Sequence, residues 1–515
     1  MNDNKTSKNS IVAKFAVPIS FLILFFLAAN FTDCDLVTFW KRRSHLTDLV
    51  VDMIPPDFSY IQKILLPLFY TIQMSVTGTV LGIFFALVLS PFGAANLGFP
   101  AVIRLILRIV IQILRSFPAL ILALTATFLF GLGTFAGTFA ITLYTFAIMT
   151  KLTYEDASAA DVKAYQALRA MGVSKYVAYI HGILPEIIPG FLTNALYLLE
   201  TNVRHSSILG YVGAGGIGLL LNEKISWLEY DKVGTILLML FLTVCVIEYF
   251  SRYLAALIRK ERTIKKEQAR LLILFLAALF LICTFTLSLP DFSRTSPQTL
   301  RNMFAGFLQP DWSFFSAEKD GLGYLLLETV CIAFIGTVIG AIVSAPLAFL
   351  NTKRFVPAPV SFLFNLVIMV IRSVPFLVYG LIFIRVSGTG AFTGVLTLAV
   401  CSIGLLTKRF TEALDALDPR PYHALLAMGV RPLPAICHSV LPQLKPVFTS
   451  IILYRFDVNI REASVLGLVG AGGIGAPLIF SMNQYAWEKA GAIMLGLILL
   501  VWFIDMVSEK IGAGN

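Results

Sequence analysis

Apolar runs of roughly twenty residues recur along the whole chain and decide which folds are open to it. We read six in the first half, at 11–31, 62–92, 101–130, 134–151, 186–206 and 234–258. Six more follow in the second half, at 271–290, 323–350, 358–387, 390–408, 446–462 and 491–508. A hydrocarbon core of ~30 Å takes about 20 helical residues to cross, so each run can span it, with 134–151 and 446–462 at the short end. Of the 515 residues, 57% are hydrophobic and 14% charged, with a mean hydropathy of +0.83. That is far less polar than a soluble chain of this length. The expectation is an all-α integral membrane protein with about 12 transmembrane helices. Lys5, Lys8 and Lys14 precede the apolar stretch Phe15–Phe31 as in a secretory leader, but that stretch outlasts a normal leader core. With so many spans after it, it reads as an uncleaved first helix.

The two halves are copies. Arg115-Ser-Phe-Pro118 returns as Arg372-Ser-Val-Pro375, an offset of 257 residues (372 − 115). Ala170-Met-Gly-Val173 and Asn202-Val-Arg204 return at the same offset, as Ala427-Met-Gly-Val430 and Asn459-Ile-Arg461. Upstream, Gly78–Gly82 matches Gly336–Gly340 at an offset of 258. We divide the chain into a first unit, 1–258, a basic linker, 259–270, and a second unit, 271–515. An even number of spans per unit makes these parallel tandem repeats. The linker holds six basic and two acidic residues, which places it in the cytoplasm. Counting spans from there puts both termini, 152–185 and 409–445 inside, and 32–61 and 291–322 outside. Lys41-Arg42-Arg43 runs against that rule, although five aspartates share its loop. The excess of 40 basic over 30 acidic residues is then an orientation signal, not a nucleic-acid surface. Six scattered cysteines without C-x-x-C, and five histidines without H-E-x-x-H, indicate neither a disulfide framework nor a metal site.

The inner segments share one design. In 152–185, Asp161 is a good N-cap, and Ala164, Ala167, Leu168 and Met171 fall on one helical face. Gly172 is a natural stop, and Ser174 caps a second helix with Tyr176, Val177 and Ile180 on its apolar face. Asp418, Pro419, Gly429 and Pro442 hold the same places in 409–445. A short helix, a Gly bend and another helix, twice on one membrane face, suit docking of a two-fold symmetric partner. A helix lying on or re-entering the membrane is the alternative.

Gln166-Ala-Leu-Arg-Ala-Met-Gly172 with Leu184-Pro185, and His423-Ala-Leu-Leu-Ala-Met-Gly429 with Leu441-Pro442, resemble a known frame. It is the E-A-A-x-x-x-G…Leu-Pro loop in permease subunits of ATP-binding-cassette importers, with Gln166 and His423 replacing the motif glutamate. Arg-Ser-x-Pro, Asn-x-Arg and V-G-A-G-G-I-G narrow the resemblance to the phosphonate-importer permeases, which include relatives for phosphite and hypophosphite. Many of those are single units that dimerise; here two look fused. The resemblance implies a binding-protein-dependent importer permease in a bacterial plasma membrane, itself no enzyme, moving phosphonate or a related phosphorus oxyanion inward. It also implies a homodimeric cytoplasmic ATPase that binds ATP and Mg, and an extracytoplasmic phosphonate-type binding protein. The coupling residues would be Gln166, Ala167, Gly172, Leu184 and Pro185, with His423, Ala424, Gly429, Leu441 and Pro442. No G-x-x-x-x-G-K-[ST] occurs, so ATP falls to a partner and this chain needs no cofactor.

Gly213-Ala-Gly215-Gly-Ile-Gly218 is also a G-x-G-x-x-G string with Glu229 and Asp231 downstream, and it returns at Gly470–Gly475. A dinucleotide turn needs a strand before it and a second strand ending near the acid. Here the string follows a span and falls outside. Gly213, Gly215, Gly216, Gly470, Gly472 and Gly473 therefore read as close packing or as irregular backbone at an outer mouth. The resemblance adds a gating role.

Charges inside the spans are the remaining candidates. Arg115 lies about fourteen residues, or ~21 Å, into its run, and Arg372 lies equally deep. An arginine near the bilayer centre costs about 2.5–3.5 kcal/mol, so each should face protein or a water-filled path. Pro118 and Pro375 loosen the helix three residues later. Glu200 with Arg204, and Asp457 with Arg461, are i,i+4 pairs flanking Asn202 and Asn459. They either hold a polar helix face closed or line an oxyanion pathway, for which the planar fork of arginine is suited. Two other functions fit parts of the pattern. One is an ion-coupled secondary transporter with parallel repeats; the other is a membrane oxidoreductase using the Gly-rich turns.

Overall fold

The computed structural model describes residues 19–259, 265–290, 297–316, 318–319 and 321–513. Lys5, Lys8 and Lys14 and part of the basic linker lie outside these residues. Among the described residues every regular element is helical. Helices α1 to α10 are Ile19–Phe31, Ile61–Gly93, Ala101–Ser116, Ala119–Phe130, Thr134–Ala159, Lys163–Ala170, Lys175–Gly182, Leu184–Leu209, Ile217–Ser226 and Tyr230–Ile258. Helices α11 to α20 are Lys266–Phe285, Leu322–Asn351, Ala358–Ser373, Phe376–Ser387, Ala391–Ala416, Arg420–Ala427, Pro432–Ala435, Leu441–Leu466, Gly475–Asn483 and Trp487–Ala513. Among the described residues eight helices are long and apolar enough to cross a membrane, or up to eleven if each bent pair is one span.

The compact units are not the sequence repeats. One gathers Leu49–Phe304 with Ser373–Pro375; the other gathers the chain up to Asp48 with Ala305–Arg372 and the chain from Phe376. The apolar run that opens each repeat is thus built into the compact unit made mostly by the other repeat. In the first-named unit, α11 meets α2 through Gln73, whose Nε2 donates to the Cys283 carbonyl at 3.0 Å and to Thr286 Oγ1 at 2.8 Å. In the second, α1 sets Phe21 against Phe334 and Phe31 against Tyr324.

Each unit is built around three helices, α2, α5 and α8 in one and α12, α15 and α18 in the other. Small-x-x-x-small spacing brings the first two of each trio together, because lipid supplies no hydrophobic drive and close backbone packing must hold the helices. A Cβ at Gly82 would lie 2.6 Å from Thr145 Cβ, and one at Gly340 would lie 2.4 Å from Ser402 Cβ.

Two expected spans are broken. The run 101–130 divides into α3 and α4, which meet at 96°, and 358–387 divides into α13 and α14, which meet at 87°. Phe117 is extended, at φ −94° and ψ 130°, as a residue before proline prefers, and Pro118, with no N–H, opens α4. Arg115 and Arg372 therefore occupy the last turn before a sharp bend, not the middle of a straight span. Their charge there complements the carbonyl end of the helix. The two short runs extend instead. Residues 134–151 and 446–462 lie within α5 and α18, 26 residues each, because polar groups such as the Lys151–Glu155 pair at 3.6 Å continue the helix past the apolar stretch.

Candidate functional site

The helix–Gly–helix segments form as their caps dictate. The Lys163 N–H donates to Asp161 Oδ1 at 3.0 Å, and the Arg420 N–H donates to Asp418 Oδ1 at 3.0 Å. Gly172 and Gly429 end α6 and α16 in the left-handed region, both at φ +83°. The expected apolar faces are not the buried ones. Helix α6 buries Tyr165, whose hydroxyl donates to the Leu97 carbonyl at 2.6 Å, and α7 buries Ala178 and Tyr179. An aromatic ring brings more apolar area than two alanines and has a polar tip to satisfy, so it takes the inward place. Gln166, Ala167, Val177 and Ile180 are left exposed, and Met171 is 78% exposed. The second copy does the same: His423 and Ala424 are exposed, and Met428 is 77% exposed. Leu184 is half-buried, while Pro185, Leu441 and Pro442 are exposed at the starts of α8 and α18. The carboxyls of Asp161 and Asp418 are held below the usual range. For Asp161 the Lys163 backbone N–H is the main cause, and for Asp418 the Arg420 side chain.

The Gly-rich strings are not dinucleotide turns. Each follows a long helix through a short 3-10 turn and leads into another helix, with no strand among the described residues. Gly213, Gly215 and Gly216 all have φ between +77° and +83°, and Gly470, Gly472 and Gly473 repeat this at +77° to +80°. Side chains disfavour that conformation. The turn folds α9 back on α8 so closely that a Cβ at Gly218 would lie 2.2 Å from the Ser207 carbonyl oxygen. The loop end is tied down by Thr71, whose Oγ1 accepts from the Ile217 N–H at 2.9 Å. Thr329 does the same for Ile474 at 3.1 Å, and Glu328 accepts from the Gly473 N–H at 2.9 Å.

The Asn-x-Arg segments carry a polar lock and an ion pair. Asn202 Nδ2 donates to Thr79 Oγ1 and Thr145 Oγ1, both at 2.8 Å, joining α8 to α2 and α5. Asn459 Nδ2 repeats this on Thr337 Oγ1 at 2.6 Å and Ser402 Oγ at 2.9 Å. Beside them Arg204 pairs with Glu200 at 3.3 Å, and Arg461 pairs with Asp457. Arg115 Nη1 reaches Gln112 Oε1 at 3.4 Å, while Arg372 is buried against Gly404 of α15. A further pair was missed from sequence: Arg455 and Glu462, at 2.8 Å on α18. Their spacing of seven residues, two helical turns, was the available signal. A comparison of the copies selects what they share, and this pair exists in one only.

Comparison with known proteins agrees with this architecture. Residues 78–262 and 336–511 each match the family described as binding-protein-dependent transport system inner membrane component. The chain is 28% identical to the phosphate-import permease protein PhnE of Mycolicibacterium smegmatis over 473 residues, 90% of this chain and 88% of that one. It is 36% identical to the phosphite transport system permease protein PtxC of Stutzerimonas stutzeri, covering 36% of this chain and 67% of that one. It is 37% identical to the putative cryptic phosphonate transport system permease protein PhnE2 of Escherichia coli, covering 23% of this chain and 96% of that one. With two such domains fused in one helical membrane chain, the protein belongs to the permease family of binding-protein-dependent, ATP-binding-cassette importers.

Proposed function

We propose that this permease moves a phosphorus oxyanion, phosphonate or a close relative, into a bacterial cell. A homodimeric cytoplasmic ATPase drives it through the α6–α7 and α16–α17 segments, and an extracytoplasmic binding protein delivers the anion. The termini are then cytoplasmic, and the repeats 1–258 and 271–515 are the products of duplication. The observation that carries the coupling assignment is the matched exposure of Met171 and Met428 beside the motif glycines, an apolar tip left open twice. The named relatives support the substrate class. A homodimer suits the duplication, since each ATPase copy then meets one segment. The pathway and gate residues would be Arg115, Arg372, Glu200, Asn202, Arg204, Asp457, Asn459 and Arg461, with the six left-handed glycines at the gate.

The test is reconstitution with the ATPase and binding protein, followed by uptake of labelled phosphate, phosphite and methylphosphonate. Ala167→Cys and Ala424→Cys should each crosslink to the ATPase in the active complex. Failure of both sinks the docking assignment, and ATP-independent uptake driven by an ion gradient would favour a secondary transporter.

A further inference from the structure

The two copies diverge beside the part they share most closely. On α18, Arg455 is buried; its Nε donates to Ser402 Oγ at 3.1 Å, and its Nη2 donates to Glu462 Oε2 at 2.8 Å. Ser402 Oγ also accepts from Asn459 at 2.9 Å, so the charge pair is wired to the polar lock. At the same offset the first copy keeps the lock, as Asn202 and Thr145, but has Leu198 for Arg455 and His205 for Glu462. Tyr144 stands where the second copy has Cys401, and the His205 ring meets it edge-on at 5.1 Å.

The duplication supplies its own control. The same trio of helices forms with an aliphatic and an aromatic side chain at these two places, so the ion pair is not needed to hold α18 in position. Two charges withdrawn from water are rarely repaid in full by their mutual attraction. A copy that keeps them where its twin does without is using the charge. Glu462 is the more open partner, its side chain 16% exposed against 5% for Arg455. A guanidinium fork that fits a carboxylate also fits the oxygens of a tetrahedral oxyanion.

We propose that Arg455 is the cation that meets the passing oxyanion, and that Glu462 holds it between passages. The step exchanges one ion pair for another and makes no covalent bond. The first copy, with Leu198 and His205, has no such arginine–carboxylate pair at these places, so the two copies are not equivalent although the fold is repeated. This rests on the oxyanion reading above.

The experiment is phosphate, phosphite and methylphosphonate uptake by the complete reconstituted complex, with ATP hydrolysis measured alongside. Arg455→Met should lower uptake about tenfold while hydrolysis falls less, so that less anion moves per ATP; Arg455→Lys should retain more. Glu462→Gln should lower KM and turnover together, because the freed cation holds the anion longer. The deciding variant is Arg455→Leu with Glu462→His, which installs the residues that α8 already accommodates. A merely structural pair predicts that this double variant transports like the wild type, and that result would overturn the proposal. Normal assembly with uncoupled hydrolysis supports it, even if Arg455→Met alone fails to assemble. A wild-type complex that hydrolyses ATP and imports none of the three anions would instead overturn the oxyanion reading, and this proposal with it.

Discussion

Around Gly172 the helix–Gly–helix segment rests on buried aromatics. Tyr165 reaches the Leu97 carbonyl, Tyr179 is fully buried, and Gly182 lets α7 lie against the backbone of Tyr165. Around Gly429 the seating differs. Helix α16 has no buried residue, α17 is only four residues long, and a π turn over Ile436–Val440 replaces the rest of it. Pro432 and Pro434 sit in the first turn of this short helix, where a missing N–H costs no intrahelical bond. Arg354 holds the approach to this segment instead, its Nη1 donating to the carbonyls of Leu414 and Leu417 at 2.9 and 3.0 Å. The exposed tips, Met171 and Met428, are nonetheless matched. What the two copies hold in common is the outward geometry set by a capping aspartate and a left-handed glycine; how that geometry is fastened to the bundle is free to change.

The comparison breaks most severely at Gly182. A Cβ there would lie 2.9 Å from the Tyr165 Cα, so Gly182→Ala should unseat α6 from α7 and lower substrate-stimulated ATP hydrolysis about tenfold. Ser439→Ala, at the matching place, already has room for a Cβ and should leave hydrolysis within a factor of two or so. Equal losses would mean that the different seating has no bearing on coupling. Arg354→Ala should loosen only the second segment, by about 1.5–3 kcal/mol for hydrogen bonds from a charged group. Amide exchange should then quicken over 418–440 and stay unchanged over 161–182. Tyr165→Phe should cost about 1 kcal/mol by stranding the Leu97 carbonyl, read as a lower Tm of the purified complex, whereas Tyr422→Phe should be close to neutral.

The smallest effect is shared by both segments. The capping carboxyls of Asp161 and Asp418 are depressed in the fold, so the stability they lend is present above the unfolded carboxylate pKa of about 3.9. It is lost as pH falls through the folded value. Protection of the Lys163 and Arg420 amides should therefore hold constant from pH 6 to 8 and fall in acid. Loss in only one copy would show that the two caps are not equivalent.

Much of the fold was legible because lipid allows few answers: an apolar run of sufficient length became a helix, and a left-handed stop became Gly172 or Gly429. The breaks at Pro118 and Pro375 were not, since hydropathy stays high across them and does not distinguish a straight span from a bent pair. The inward face of α6 was misread because counting apolar residues favoured Ala164, Ala167 and Met171, whereas burial rewarded the larger Tyr165. At the candidate site the repeat singled out Asn202 and Asn459, which the structure shows as a polar lock, and for the same reason it passed over Arg455 and Glu462.

The placement of α1 governs the order in which the molecule can be completed. Its neighbours Tyr324 and Phe334 lie far along the chain, and at synthesis rates of about 5–20 residues per second the roughly 300 intervening residues take ~15–60 s to appear. During that interval α1 is without these two aromatic neighbours. Its side chains must be sheltered by lipid or by the insertion machinery. Helix α11 meets no such wait, because Gln73, which receives it, has already been made. The newborn chain therefore carries α1 apart from its aromatic partners until Tyr324 and Phe334 have been made.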